Sequence, residues 1–315
     1  DSDTADSGGL TYSITTHDPG TGTQFSVAGT ALTIAAQDYE NPGCGSASNS
    51  LTCVVVLAAT DAGSTHSTAH TITVTITDTN DESPTDMALS AASAAENAAA
   101  GTDIGTLSTT DGDASGNSHV YTLVTDSGGA TAYSGTNFAL DSAVLEVGSS
   151  PSFDYETTTS YTVYVKVADG SNTAYVEGFT ISITDVNDES PVWTTAASQS
   201  VDEGTRNVAT LGVTDGDAAD SNTATYAITT NDNSLFEIDS GVLRFVASGG
   251  ADFESPGCGS SSNTCTVIVL ASDAASTANT ASRTFTITIG DINDNTPSFT
   301  AGDTATPSVA EGETT

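Results

Sequence analysis

Hydrophobic residues alternate with Ser and Thr in short runs along the whole chain. Ile72, Val74 and Ile76 stand at every second position, as do Phe179, Ile181 and Ile183, and again Phe285, Ile287 and Ile289. A strand turns successive side chains to opposite faces, so this spacing predicts half-buried strands with one polar face. Other columns predict further strands: Tyr12 with Ile14, Tyr121 with Leu123, Tyr226 with Ile228; Phe25 with Val27, Phe138 with Leu140, Phe236 with Ile238. Leu32 with Ile34, Leu145 with Val147, and Leu243 with Phe245 form another column. A longer strand carries Val55 and Leu57, then Val163, Val165 and Val167, then Val267 and Val269. No segment has convincing helical period. Short alternating strands separated by Gly, Asn and Asp turns argue for an all-β sandwich with Greek-key connections.

These columns belong to an internal repeat. Asp78-Thr79-Asn80-Asp81-Glu82-Ser-Pro84 recurs as Asp185-Val186-Asn187-Asp188-Glu189-Ser-Pro191, then as Asp291-Ile292-Asn293-Asp294-Asn295-Thr-Pro297. The step from Asp78 to Asp185 is 107 residues, far longer than a solenoid repeat and the size of a small independent domain. The expected division is 1–84, 85–191 and 192–298, with 299–315 opening a further repeat. The first copy starts inside its repeat, as though cut from something longer.

Charge sharpens the picture. The chain of 315 residues holds 41 acids against 4 basic residues, a formal net charge of -37, although only 14% of residues are charged. Such a chain repels nucleic acid and anionic membrane surfaces, which demand Lys/Arg stripes. No run of apolar residues is long enough to span a bilayer. The natural small partners are cations.

The acids also fall in columns. Glu96, Glu203 and Glu311 open repeats. Asp-x-Asp follows as Asp111/Asp113 and Asp215/Asp217, with Asp1/Asp3 at the front of the chain. Asp-aromatic-Glu occupies mid-repeat as Asp38/Glu40, Asp154/Glu156 and Asp252/Glu254, and Asp61, Asp169 and Asp273 close the long strands. Turn-capping Asp residues would explain single columns, but not all of them together in otherwise charge-poor domains. Carboxylates joined by Asn and carbonyl oxygens, without His or Cys, suit a hard cation with 6–8 oxygen ligands, Ca2+. Asp111-Gly-Asp113-Ala-Ser115-Gly116 imitates the start of an EF-hand loop, but its twelfth position is Thr122 and strands flank it.

Taken together, the Glu-Asn/Gly opening, Asp-x-Asp, Asp-aromatic-Glu and Asp-x-Asn-Asp-x-x-Pro resemble the cadherin repeat over essentially the whole chain. The resemblance implies seven-stranded, immunoglobulin-like sandwiches joined end to end, with about three Ca2+ at each junction. It implies a first junction of Asp38, Glu40, Asp78, Asn80, Asp81, Asp111, Asp113, the Asn117 carbonyl and Asp169. The second would take Glu96, Asp154, Glu156, Asp185, the Val186 carbonyl, Asn187, Asp188, the Glu189 carbonyl, Asp215, Asp217, the Asn222 carbonyl and Asp273, without Glu203. The remaining candidate ligands are Asp1, Asp3, Asp61, Thr79, Glu82, Glu203, Asp252, Glu254, Asp291, Ile292, Asn293, Asp294 and Asn295. Glu82 and Glu189 stand where the family usually has Asn; a backbone-carbonyl ligand tolerates the change.

The four cysteines form two local pairs, Cys44 with Cys53 and Cys258 with Cys265, each closing a loop inserted relative to the second repeat. Counting back eight residues from Asp61, Asp169 and Asp273 gives Cys53, Tyr161 and Cys265. Paired cysteines around insertions suggest disulfides and an oxidising compartment. Free thiols or zinc are the alternatives, but no His or second Cys pair lies near enough in sequence to complete a tetrahedral site. Trp193, in the column of Phe299, reads as core packing, and His17, His66, His70 and His119 have no mutual spacing that suggests a metal or catalytic site. No Asn-x-Ser/Thr sequon occurs. The expected function is a non-enzymatic, calcium-stiffened adhesion or stalk module at the cell surface or outside the cell. Its partners would be other cadherin-like repeats in cis or trans. The alternative is a structural subunit of an extracellular filament or appendage, with lateral neighbours as partners.

Overall fold

A computed structural model of the chain describes residues 9–17, 24–43, 51–61, 67–113, 118–170, 172–217, 224–259, 262–273 and 278–298, with Glu311. The candidate residues Asp1, Asp3, Cys44, Asn117 and Asn222, and the aromatic Phe299, lie outside this set. Two compact units divide the chain, Asp1–Thr184 and Asp185–Thr315.

In the first unit, β1 (Thr11–His17), β4 (Thr52–Thr60) and β5 (Ser67–Thr75) form one antiparallel sheet, and β2 (Phe25–Ala28) pairs with β3 (Ala31–Ile34). The apolar alternation turns one face of each inward. Phe25, Cys53 and Val55 are buried, with Ile14, Leu32, Leu57, Ile72, Val74 and Ile76 packed against them.

The same unit continues through β6 (Asp86–Leu89), β7 (Ser93–Ala95), β8 (Asp103–Thr110) and β9 (Val120–Val124). Then come β10 (Phe138–Asp141), β11 (Val144–Val147), β12 (Ser160–Ala168) and β13 (Tyr175–Thr184). One sheet has the order β10-β11-β8-β6 and the other β7-β13-β12-β9. Ile104, Phe138, Leu145 and Val147 of the first sheet meet Ala94, Val163, Ile181 and Ile183 of the second in one core. Each of these side chains larger than Ala94 contributes about 1.5–3 kcal/mol by leaving water. The chain changes sheets between β6 and β7, so β6 runs antiparallel to β8 while β7 lies parallel to β13. Ser93-Ala-Ala95 carries no apolar alternation, so this short parallel strand left no mark in the hydrophobic pattern.

The second unit is built alike. Its strands are β14 (Val192–Trp193), β15 (Ser198–Asp202), β16 (Asn207–Thr210), β17 (Val213–Thr214) and β18 (Thr225–Asn231). A 3-10 turn at Asp232–Ser234 leads to β19 (Phe236–Asp239), β20 (Val242–Phe245), β21 (Thr264–Ser272) and β22 (Thr280–Gly290). Sheet β15-β22-β21-β18 faces β16-β20-β19 and the β14-β17 pair, and Phe285, Ile287, Ile289, Val267, Val269, Leu243 and Phe245 fill the space between. Positive φ at both Ser240 and Gly241 makes the tight β19–β20 hairpin, the geometry that matches strand twist. Trp193 is a core residue. It is 9% exposed, packs on Tyr226 and Phe285, and donates from Nε1 to the Ala281 carbonyl at 3.2 Å.

The column of Cys53, Tyr161 and Cys265 holds in three dimensions, opposite Val74, Ile181 and Ile287 respectively. Cys258 and Cys265 form a disulfide across a sequence separation of 7, and Cys53 is also disulfide-bonded.

Candidate metal centre

The Asp-x-Asp pairs sit where strand hydrogen bonding stops. In the first unit Asp111 follows β8, and its Oδ1 accepts the Asp113 N–H at 3.2 Å. This turn frees the Asp113 carboxylate to grip the linker backbone. Its oxygens accept the N–H groups of Asp81 at 3.3 Å and Glu82 at 3.2 Å. Asp169, at the end of β12, is 1% exposed. The Asn80 amide donates to its carbonyl at 3.2 Å, and Asn172 donates to its Oδ2 at 3.3 Å and to Asn80 Oδ1. Carboxylate oxygens of Glu40, Asp78 and Asp113 lie within 4.8 Å of one another, and so do those of Asp111, Asp113 and Asp169. Asp113 belongs to both groups.

Mid-repeat acids divide by role. Asp38 Oδ1 accepts the N–H groups of Glu40 and Asn41, both at 3.0 Å, and Asp252 Oδ1 accepts that of Ser255 at 3.0 Å, so both cap turns. Asp154 caps its turn through Thr157 at 2.9 Å and also joins Glu96 and Glu156 within 4.8 Å. Buried Glu96 accepts the Tyr155 N–H at 2.7 Å.

In the second unit, fully buried Asp217 accepts the N–H groups of Asp188 at 3.4 Å and Glu189 at 3.2 Å, while its own N–H donates to Asp215 Oδ1 at 3.2 Å. Asp185 and Asp217 have carboxylate oxygens within 4.8 Å. Asp273 Oδ2 accepts from the Asn187 amide at 3.2 Å and from the Asn279 N–H at 2.8 Å. Glu203 is buried between the mid-repeat motif and the third linker. It accepts the N–H groups of Phe253 at 2.8 Å and Ile292 at 2.7 Å, and it gathers with Glu254 and Asp291 within 4.8 Å. Thr79 and Asp294 make local contacts, Thr79 Oγ1 to Asp81 Oδ1 at 3.5 Å and the Asp294 N–H to the Ile292 carbonyl at 2.7 Å. Asn293 and Asn295 are exposed, and Asp61 follows β4 directly.

Like charges this close repel. Two carboxylates about 5 Å apart cost each other about 3 kcal/mol at an effective dielectric near 20. Burial, above all, and then the charges of Asp78, Asp113 and Asp38 push the Glu40 carboxyl above its ordinary range, against its own backbone N–H. Burial also raises Asp217, helped by the charges of Asp215 and Asp185 and opposed by the N–H groups of Asp188 and Glu189. Asp111 moves the other way. Burial opposes its ionisation, but the hydrogen bonds from His119 and the Asp113 backbone outweigh that and hold it low.

The donor set fits a hard divalent cation. The groups named above offer oxygen alone. Glu40 Oε1, Asp169 Oδ1 and Asp215 Oδ2 are buried oxygens with no hydrogen-bond partner among the described residues. A buried acceptor left unmade costs about 1–3 kcal/mol, more when charged, and a cation removes that cost. Three participants had no visible signal in the sequence. Asn172 lies three residues after Asp169 and Asn279 six after Asp273, so unequal loops hide the column. His119, without any spacing to another histidine, donates from Nε2 to Asp111 Oδ2 at 3.1 Å.

No family model matches the chain. Protocadherin Fat 4 of Mus musculus is 34% identical over 214 residues, 65% of this chain and 4% of that protein. Among solved structures, the protocadherin gamma B4 extracellular domain superposes with a TM-score of 0.60 at 23% identity, covering 91% of this chain and 44% of that one. Mouse cadherin-23 EC22-24 gives 0.59 at 21% identity over 90% of this chain and 86% of that one. Human desmocollin-1 gives 0.58 at 20% over 90% and 56%. The chain thus spans a small part of its curated relative, and the structural likeness is one of fold. In its β-sandwich fold, its motif columns and its likeness to Fat 4, the chain resembles the repeats of cadherin ectodomains.

Proposed function

We propose that the chain is a calcium-rigidified extracellular module of a cell-surface adhesion protein, divided into repeats at 1–84, 85–191, 192–298 and 299–315. The observation that carries the calcium reading is the meeting of two carboxylate groups at Asp113, beside buried oxygens that have no donor among the described residues. In this reading Asp38, Glu40, Asp78, Asn80, Asp81, Asp111, Asp113 and Asp169 serve the first junction. Asp185, Asn187, Asp188, Asp215, Asp217 and Asp273, with Glu96, Asp154 and Glu156, serve the second. About three ions per junction would suit so many oxygens. Glu203, Glu254 and Asp291 would begin the set at the third linker. Calcium neutralises carboxylates that otherwise drive each other apart, and this is what would stiffen the chain.

The relatives are named for extracellular domains and a cis-dimer. By likeness to them, this chain acts outside the cell or at its surface and binds other cadherin repeats in cis or trans. That makes it an adhesive or structural module, with no catalytic role. Small-angle scattering in calcium, in magnesium and in chelator tests the reading. Calcium alone is expected to narrow the distribution of conformations, and a profile indifferent to calcium overturns it.

A further inference from the structure

The two Asp-x-Asp turns are built alike and differ by one donor. In both, the second Asp donates its N–H to Oδ1 of the first, at 3.2 Å. Asp111 has its other oxygen occupied as well. His119 Nε2 lies 3.1 Å from Oδ2, and the Asp111 side chain is 2% exposed. A carboxylate oxygen only accepts, so Nε2 carries the proton. Asp215 Oδ2 is buried and has no partner among the described residues. The difference is written in one position. Tyr121 pairs with Val167 and Tyr226 with Ala271, so His119 and Ala224, each two residues before its tyrosine, are equivalent.

We infer that His119 grades the calcium affinity of the chain, so that the ligand set containing Asp215 fills before the set containing Asp111. This rests on the calcium reading proposed above. A cation approaching Asp215 meets a buried oxygen with nothing to displace, and relieves an acceptor that is otherwise unsatisfied. At Asp111 both oxygens already accept an N–H, so the cation must share or displace a charge-assisted hydrogen bond. A cation site exists in the first set nonetheless. Asp169 is 1% exposed, its Oδ1 has no partner among the described residues, and its carboxylate lies within 4.8 Å of those of Asp111 and Asp113. A second oxygen of that set, Asn80 Oδ1, also accepts a side-chain donor, from Asn172. The first set is therefore partly satisfied without a cation and gains less from one.

Hydrogen-exchange mass spectrometry of the full chain at stepped free calcium reads each set separately, through residues 109–121 and 213–226. The midpoint of protection over 213–226 is expected at about tenfold lower calcium than that over 109–121, the ratio expected for the loss of one contact of ordinary strength. His119→Ala is expected to draw the first midpoint down to the second, and His119→Gln, which keeps an N–H donor, to leave it near the wild-type value. Ala224→His is expected to raise the second midpoint alone. Coincident midpoints that His119→Ala does not separate overturn the inference. So does a first midpoint that His119→Ala drives to higher calcium, which would make His119 a residue that holds Asp111 in place for the ion. Absence of calcium-dependent protection in both segments removes the calcium reading, and this grading with it.

Discussion

The sandwich of residues 85–184 and that of 192–290 solve one packing problem in two ways. In the first, Phe138, Phe153 and Tyr161 form an aromatic cluster, with Phe153 5.5 Å from Phe138 and 5.3 Å from Tyr161 between ring centroids. In the second, Ala251 stands where Phe153 does, Cys265 stands where Tyr161 does, and the disulfide to Cys258 closes the place. Both versions are buried, Phe153 and Ala251 each 7% exposed. The pair of positions adjoins the mid-repeat acids, Asp154 and Asp252, in both. A ring that packs tightly and a covalent link that limits the unfolded chain are thus interchangeable supports for the same acidic turn.

The largest effect on either sandwich is expected from something the two share. Both carry the acid columns, so calcium in place of chelator is expected to raise the unfolding temperature of both by several degrees or more. A ligand at one hundred times its dissociation constant adds about 2.7 kcal/mol per site. Calorimetry in calcium and in chelator checks this, and a response confined to one sandwich breaks the equivalence.

Truncation of the aromatic solution comes next. Phe153→Ala is expected to destabilise the first sandwich by about 3–5 kcal/mol, because the cavity forms between rings that cannot close over it. Denaturant unfolding followed by exchange in each sandwich should find the second unchanged.

Reduction of Cys258–Cys265 is expected to cost about 2–3 kcal/mol, the chain entropy released by opening so short a loop. That lowers the unfolding temperature of the second sandwich by about 10 °C or a little more. The first sandwich manages with Tyr161 and no cysteine, so calcium affinity should be little altered. Mass mapping that joined Cys258 to another chain would point instead to covalent assembly.

The smallest effect is a pH slope. In chelator, the folded chain binds a proton at Asp217 more readily than the unfolded chain, whose carboxyl keeps its ordinary value of 3.8. This contribution to stability is complete below that value and fades as pH rises through the raised folded one. Calcium held by Asp217 would reverse the sign, because it would take the ionised form and compete with the proton. Thermal scans from pH 3.5 to 7 with and without calcium should therefore diverge as pH rises, and parallel curves would remove Asp217 from the ligand set.

The alternation of Ile72, Val74 and Ile76, and of its two copies, was enough to locate β5, β13 and β22, because a strand with one wet face must repeat every second residue. Acid columns were legible for a similar reason: charge at fixed register in a charge-poor chain has few structural uses. β7, at Ser93–Ala95, was not, since three small residues have no period and only the parallel edge of β13 makes them a strand. β15 depends in the same way on β22.

The sequence by itself determined the strands that alternate, the repeat, the acid columns and the cysteine columns, all of which depend on residue type at fixed spacing. Tertiary structure alone decided which oxygens are already satisfied. Asp111 and Asp215 are the same residue in the same motif. One meets His119 and the other does not, because Ala224 stands at the equivalent position and carries no donor; that this position bears on the carboxylate is visible only in the fold.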